Sequence, residues 1–245
     1  MLKFGSLNHQ KFMFGVKSKM TIFDLNEIGV RGLNSTLHEL KKIKEKSFMI
    51  KNPMGRHAIA CGLNAPISVE IDGHVGFYCG GMNQKAEIEI KGHAGVGVGE
   101  NMMSGKIHVY GDVSESAGAT AHGGILVIEG NSSSRCGISM KGISIVVKGS
   151  VGHMSAFMAQ SGYMVVCGDA GDALGDSIYE AELFVRGKVA SLGVDCIEKE
   201  MTKKHLTKLN ELLENSCVSA KPLDFRRYGS KRSLYNFNID NVNEY

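Results

Sequence analysis

The sequence has 245 residues, 43% of them hydrophobic and 22% charged, with a formal net charge of +3; this is enough apolar content for a substantial core in one large or two small domains. The basic excess sits at the ends: residues 1–46 carry 9 Lys and Arg against 4 Asp and Glu, 47–196 carry 10 against 14, and 197–245 carry 9 against 7. A nucleic-acid binder concentrates cations on its main body to displace phosphate counterions, so a mildly acidic centre argues against that class, and the lack of any run of 18 apolar residues argues against a membrane span.

The six cysteines (Cys61, Cys79, Cys136, Cys167, Cys196, Cys217) form no CxxC pair, and the N-terminus lacks the continuous apolar stretch of a signal peptide. Free thiols in a reducing cytoplasm are therefore expected.

In chain order, residues 1–66 read as an N-terminal extension with a helix and a cap. Asn34-Ser35-Thr36 offers N-cap residues, followed by Leu37, Leu40 and Ile43 at helical spacing.

Residues 67–196 are periodic. Gly73, Gly92, Gly111, Gly130, Gly149, Gly168 and Gly187 follow one another at intervals of 19 residues. The residues four and two places before each glycine, from Val69 and Ile71 to Leu183 and Val185, are apolar in every repeat. This alternation marks a short strand with one buried face, and the glycine after it supplies a positive φ or a crowded corner. Only small residues stand three places after the glycines and, as far as Gly175, seven places after them, so Gly95-Val96-Gly97-Val98-Gly99 belongs to the repeat and is not a phosphate-cradling loop, a motif that occurs once, between a strand and a helix. Helical repeats need longer units and tolerate glycine poorly, and 24 glycines fall within residues 67–196. The expected fold is all-β: a single-stranded, right-handed parallel β-helix of about seven 19-residue coils, with helical caps at both ends to cover the strand edges.

The outward strand column changes character along this rod. Glu70, Glu89 and His108 are polar, whereas Val127, Val146, Val165 and Phe184 are apolar and need a cover, either the chain's own C-terminal helix or a partner. Stacked Glu70 and Glu89 also call for a nearby cation. Residues 197–245 read as that helix, capped by Thr202 and presenting Leu206, Leu209 and Leu213, followed by a tail. The tail's Phe225, Arg226, Arg227 and Tyr228, with Tyr235 and Phe237, suit an anchor on the rod, on a neighbouring subunit, or on both.

Chemistry-bearing positions are sparse. Asn101, His122 and Gln160 lie on outward columns and are candidates for an interface or a channel. Asn83 falls in an otherwise apolar inward column, where a polar end cap would satisfy it. His74 and His93 share a column but find no third metal ligand at that phase. Asp172, Asp176 and Glu180 cluster late in the sixth coil, a pattern that fits turn solvation better than acid–base chemistry. Nothing assembles a nucleophile, a base and an oxyanion site, so no catalytic, cofactor-binding or metal-binding residue is assigned.

The spacing Gly-x2-Gly-x3-Gly on a 19-residue period resembles the C-terminal β-helix domain of the large subunit of glutamate synthase. The longer blocks "NPMGRHAIACGLNAPISVEIDG" (52–73), "GENMMSG" (99–105), "RCGISMKG" (135–142), "GSVGHMSAFMAQ" (149–160), "CGDAGDALGDSIYEA" (167–181), "VASLGVDCIEKEM" (189–201) and "FRRYGS" (225–230) resemble the stand-alone version of that domain in N-methylglutamate synthase, the methylamine–glutamate N-methyltransferase. The glycine pattern alone also fits a stand-alone β-helix subunit of glutamate synthase and the corresponding subunit of formylmethanofuran dehydrogenase. The resemblance implies a hetero-oligomeric complex. A glutamine-amidotransferase-like subunit and a glutamate-synthase-like subunit with FMN and an iron–sulfur cluster would flank this chain, which itself would carry no cofactor. The implied reaction exchanges methylamine for ammonia on glutamate, with the β-helix as a non-catalytic scaffold.

Overall fold

The structure, a computed structural model, describes residues 20–39 and 46–232. Nine strands stack in chain order, each parallel to the next: β1 (Thr21–Asp24), β2 (Ser47–Lys51), β3 (Ser68–Asp72), β4 (Glu87–Ile90), β5 (Lys106–Val109), β6 (Ile125–Ile128), β7 (Lys141–Val147), β8 (Ser161–Val166) and β9 (Glu182–Val185). From β3 onward their register follows the 19-residue period, with Val69 opposite Ile88 and Ile71 opposite Ile90. A second parallel ladder joins Val75, Ala94, Val113, Ser132, Val151, Ala170 and Val189. The result is a parallel β-solenoid of about seven turns with a helix at each end, as the periodicity predicts.

The inward pair of every repeat, from Val69 and Ile71 to Leu183 and Val185, is buried. At about 1.5–3 kcal/mol per fully buried aliphatic side chain, each coil adds a similar increment of core to the one below. The glycine column is explained by crowding. A Cβ on Gly92 would stand 2.7 Å from the carbonyl carbon of Gly73, because each coil rests its corner on the backbone beneath it; a positive φ is found in this column only at Gly73 (φ 137). Left-handed backbone occurs elsewhere in the coil, at alternate positions such as Tyr78 (φ 61), Gly80 (φ 65) and Met82 (φ 55), where the chain rounds its tightest corner.

The ladder begins before the regular repeat. Phe48 and Ile50 in β2 pair with Val69 and Ile71, an offset of 21 residues, so part of the expected extension is an irregular first coil. The N-terminal helix is α1 (Leu25–His38), capped by Asp24, with Leu25, Leu33 and Leu37 buried. Asn34 is therefore not an N-cap. It lies within the helix, where its Nδ2 donates to Ala58 O at 2.8 Å and its Oδ1 accepts from Ala60 N–H at 3.0 Å, closing the open backbone edge of the first coil. Leu40 and Ile43 lie outside the described residues, as do Tyr235 and Phe237.

At the other end β10 (Cys196–Lys199) and β11 (Arg226–Ser230) turn antiparallel, with β11 inserted between β9 and β10. Between them α2 (Lys203–Asn215) starts at Thr202, whose backbone N–H donates to His205 Nδ1 at 3.1 Å. Leu209, Leu212 and Leu213 of α2 form one cluster with Val146, Val165, Phe184 and Phe225. The apolar flank is thus covered by the chain itself and needs no partner.

Candidate interaction surface

Most of the polar columns hold the rod together. The residue after each column glycine but the last accepts a hydrogen bond from the backbone one coil on: His74 Nδ1 from His93 N–H (2.9 Å), His93 Nδ1 from Asp112 N–H (2.8 Å), Asp112 Oδ1 from Asn131 N–H (2.7 Å), and Asn131 Oδ1 from Ser150 N–H (2.9 Å). Ser150 Oγ and Asp169 Oδ1 continue the seam to Asp169 and Lys188. The shared requirement is an acceptor atom of the right reach, which is why His, Asp, Asn and Ser alternate there. The stacked imidazoles of His74 and His93, 4.9 Å apart, therefore present occupied Nδ1 atoms. Among the described residues no three His, Cys, Asp or Glu side chains are grouped to hold a metal.

Two of the three acids late in the sixth coil, Asp172 and Asp176, are spent in the same way. Asp172 Oδ1 accepts from Ser191 Oγ at 3.0 Å, and Asp176 accepts from Ser177 Oγ (2.8 Å) and Val194 N–H (3.2 Å), tying down the last coil. Asn83 is satisfied locally and not by an end cap: its Nδ2 donates to Ala86 O at 2.8 Å and its Oδ1 accepts from Ala86 N–H at 3.1 Å.

On the outer strand face, Lys91 Nζ supplies the cation that the stacked glutamates require, 2.5 Å from Glu89, and sits 3.7 Å over the Tyr110 ring. That hydrogen bond holds the Glu89 carboxyl below the usual carboxylate range. Two coils further on, burial pushes the Glu129 carboxyl up, but Lys148 (2.8 Å) and His108 (2.6 Å) more than offset this and leave it low. Lys148 also donates to Cys217 O at 3.4 Å, just beyond the end of α2. The thiols of Cys136 and Cys196 are pushed up to about 11 by burial, which keeps them protonated and poor nucleophiles at neutral pH.

What these contacts leave free is the face formed by the columns nine and eleven places after each glycine. Asn101 is half-buried, its Oδ1 accepting from Thr120 Oγ1 at 2.7 Å, while His122 and Gln160 are exposed. Met82, Met103, Met158 and Tyr179 share this face with 47%, 48%, 40% and 36% of their surface accessible. Lys141 is the one Lys, Arg, Asp or Glu at these two columns from Met82 to Tyr179. A flat, stiff surface rich in Met and poor in charge has the composition of an interface core. At its C-terminal end a cleft of about 500 Å³ opens between Lys141, Gln160, Ser161, Tyr179 and Glu180.

The tail's described aromatic residues, Phe225 and Tyr228, turn inward. Phe225 and Tyr228 are buried against this chain's own rod, and Arg226 and Arg227 donate to Gly187 O (3.2 Å) and Glu200 O (2.9 Å). The sequence leaves the anchor open between the rod, a neighbouring subunit and both; the structure places Phe225 and Tyr228 on the rod, and β11 brings a second cleft beside the first, walled by Glu182, Lys199 and Arg227.

No protein-family model matches the chain. It is 58% identical over 228 residues to "Protein GlxC" of Rhizobium meliloti (strain 1021), a match that covers 92% of this chain and all of the relative. The chain belongs to the GlxC family. The GlxC match is longer than the periodic region, so the likeness extends into the flanking elements that close the rod.

Proposed function

We propose that this GlxC-family chain is the scaffold subunit of a glutamate-synthase-like complex, with N-methylglutamate synthase as the specific assembly. In this reading the rod holds an amidotransferase-like subunit and an FMN/iron–sulfur synthase-like subunit at a fixed separation in the cytoplasm, and the complex converts methylamine and glutamate to N-methylglutamate and ammonia. The chain contributes position and takes no chemical step: flavin and iron–sulfur chemistry belongs to the partner.

The observation that carries the reading is the distribution of contacts. The rod closes its ends and its apolar flank with its own elements, spends its polar columns on coil-to-coil hydrogen bonds, and leaves one long face nearly free of charge. Stiffness and a single bare face suit a part that fixes two neighbours relative to one another. The likeness of the longer sequence blocks to the N-methylglutamate synthase β-helix subunit supports this assembly.

The test is to express this chain with the two proposed partners and assay amine transfer. Co-purification of all three with N-methylglutamate formed from methylamine and glutamate is expected. Glutamate formation alone would move the chain to a glutamate synthase, and a stable monomer with turnover of its own would remove the scaffold reading.

A further inference from the structure

The clearest binding feature outside the rod-holding contacts is the second cleft, about 210 Å³, where the end of the last coil meets β10 and β11. Its walls come from three separate stretches of chain: Tyr179 to Glu182, Lys199, and Arg227 with Gly229 and Ser230. It adjoins the larger cleft through Tyr179 and Glu180, which line both.

Charges of both signs meet here without neutralising one another. Among the described residues Lys199, Arg227 and Glu180 have no ion-pair partner. Lys199 Nζ gives one hydrogen bond to Ser230 O (2.8 Å) and Arg227 gives its Nε to Glu200 O (2.9 Å), which leaves further donors on both. Arg232, at the rim, is taken by Asp195. Glu182 keeps its Oε2 buried without a hydrogen-bond donor, and the His205 imidazole, whose Nε2 lies 3.6 Å away, is held towards its neutral form by burial. A half-buried carboxylate short of donors and two cations without anions, set around one small cavity, form a surface complementary to a ligand that is itself doubly charged.

We infer that this cleft binds a small zwitterionic acid, an α-amino acid with a side-chain carboxylate, its carboxylates on Arg227 and Lys199 and its ammonium on Glu180 and Glu182. A guanidinium with free Nη donors takes a carboxylate through two parallel hydrogen bonds, and a compact ammonium matches the spare acceptor capacity of two carboxylates. The inference stands apart from the scaffold reading, since the cleft is built wholly from this chain.

The test is calorimetric titration of the full chain with L-glutamate, glutarate and methylammonium as probes. Saturable L-glutamate binding with a Kd on the order of 1 mM is expected, with glutarate and methylammonium each weaker by about tenfold, a loss of about 1.4 kcal/mol. E180Q, at an exposed position, and R227Q should each weaken L-glutamate binding at least about fivefold with the far-ultraviolet spectrum and melting temperature of E180Q unchanged. Absence of saturable binding, glutarate binding as tight as L-glutamate, or unaltered affinity in E180Q would overturn the inference.

Discussion

A methyl group on Gly149 would come within 2.6 Å of Gly130 O and 2.5 Å of Asn131 Oδ1, atoms fixed by the coil beneath. Gly55 is the opposite case, with open space around its would-be Cβ but a φ of 70. The two costs are therefore separable: G149A is expected to lower stability by about 3 kcal/mol through overpacking, and G55A by about 1 kcal/mol through left-handed strain alone. Urea denaturation of both variants decides this, and equal losses would mean that conformation, not crowding, governs the glycine column. At this scale the period was legible because stacking repeats a steric demand every coil, and Gly is the one residue that meets it. The acceptor seam was not legible. His93, Asp112, Asn131 and Ser150 perform one task with four chemistries, so a search by residue type sees an incomplete metal site where the backbone sees a ladder.

Secondary elements were readable where their cue was local. Thr202 and the leucines of α2 predict a helix that the structure places over Val146, Val165 and Phe184. L209A, which removes a fully buried side chain from that contact, should cost about 2–4 kcal/mol, and L206A, at a half-buried position, should cost clearly less; chemical denaturation of the pair compares them. If L209A were as mild as L206A, α2 would be loosely attached and the flank would again need a partner. α1 escaped because Gly29 and Gly32 interrupt its pattern and Asn34 looks like a cap by residue type, whereas its amide serves the neighbouring coil. β2 escaped because its inward pair, Phe48 and Ile50, stands 21 residues before the next, outside a fixed 19-residue column. β11 escaped for a deeper reason: its antiparallel insertion between β9 and β10 is a tertiary choice that no local alternation encodes.

Over the whole molecule, coils that repeat the same contacts should be exchangeable, and the rod's length becomes a variable that can be set independently of its fold. Deleting residues 93–111 joins Gly92 to Asp112, sets His74 Nδ1 opposite the Asp112 N–H, and lowers Leu126 and Ile128 onto Ile88 and Ile90. On the outer face the deletion removes the His108 side of its hydrogen bond with Glu129, which keeps Lys148. The α1 contacts with the first coil and the α2 cluster on the last coils are untouched. Because a solenoid's stability is approximately a sum over coils and their junctions, the shortened chain should still fold cooperatively, with a lower melting temperature. Its length falls by one strand spacing, ~4.8 Å, and its two ends also change their mutual rotation. Misplacement by 1 Å can reduce turnover by about a hundredfold where reacting groups must be aligned. If the rod acts by spacing its neighbours, the three-subunit complex carrying the deletion should therefore lose at least about tenfold in N-methylglutamate formation, while circular dichroism of the isolated chain stays β-rich. A folded, shortened rod in a fully active complex would show that its neighbours tolerate displacement, and that the chain's contribution lies in its surface and not in its length.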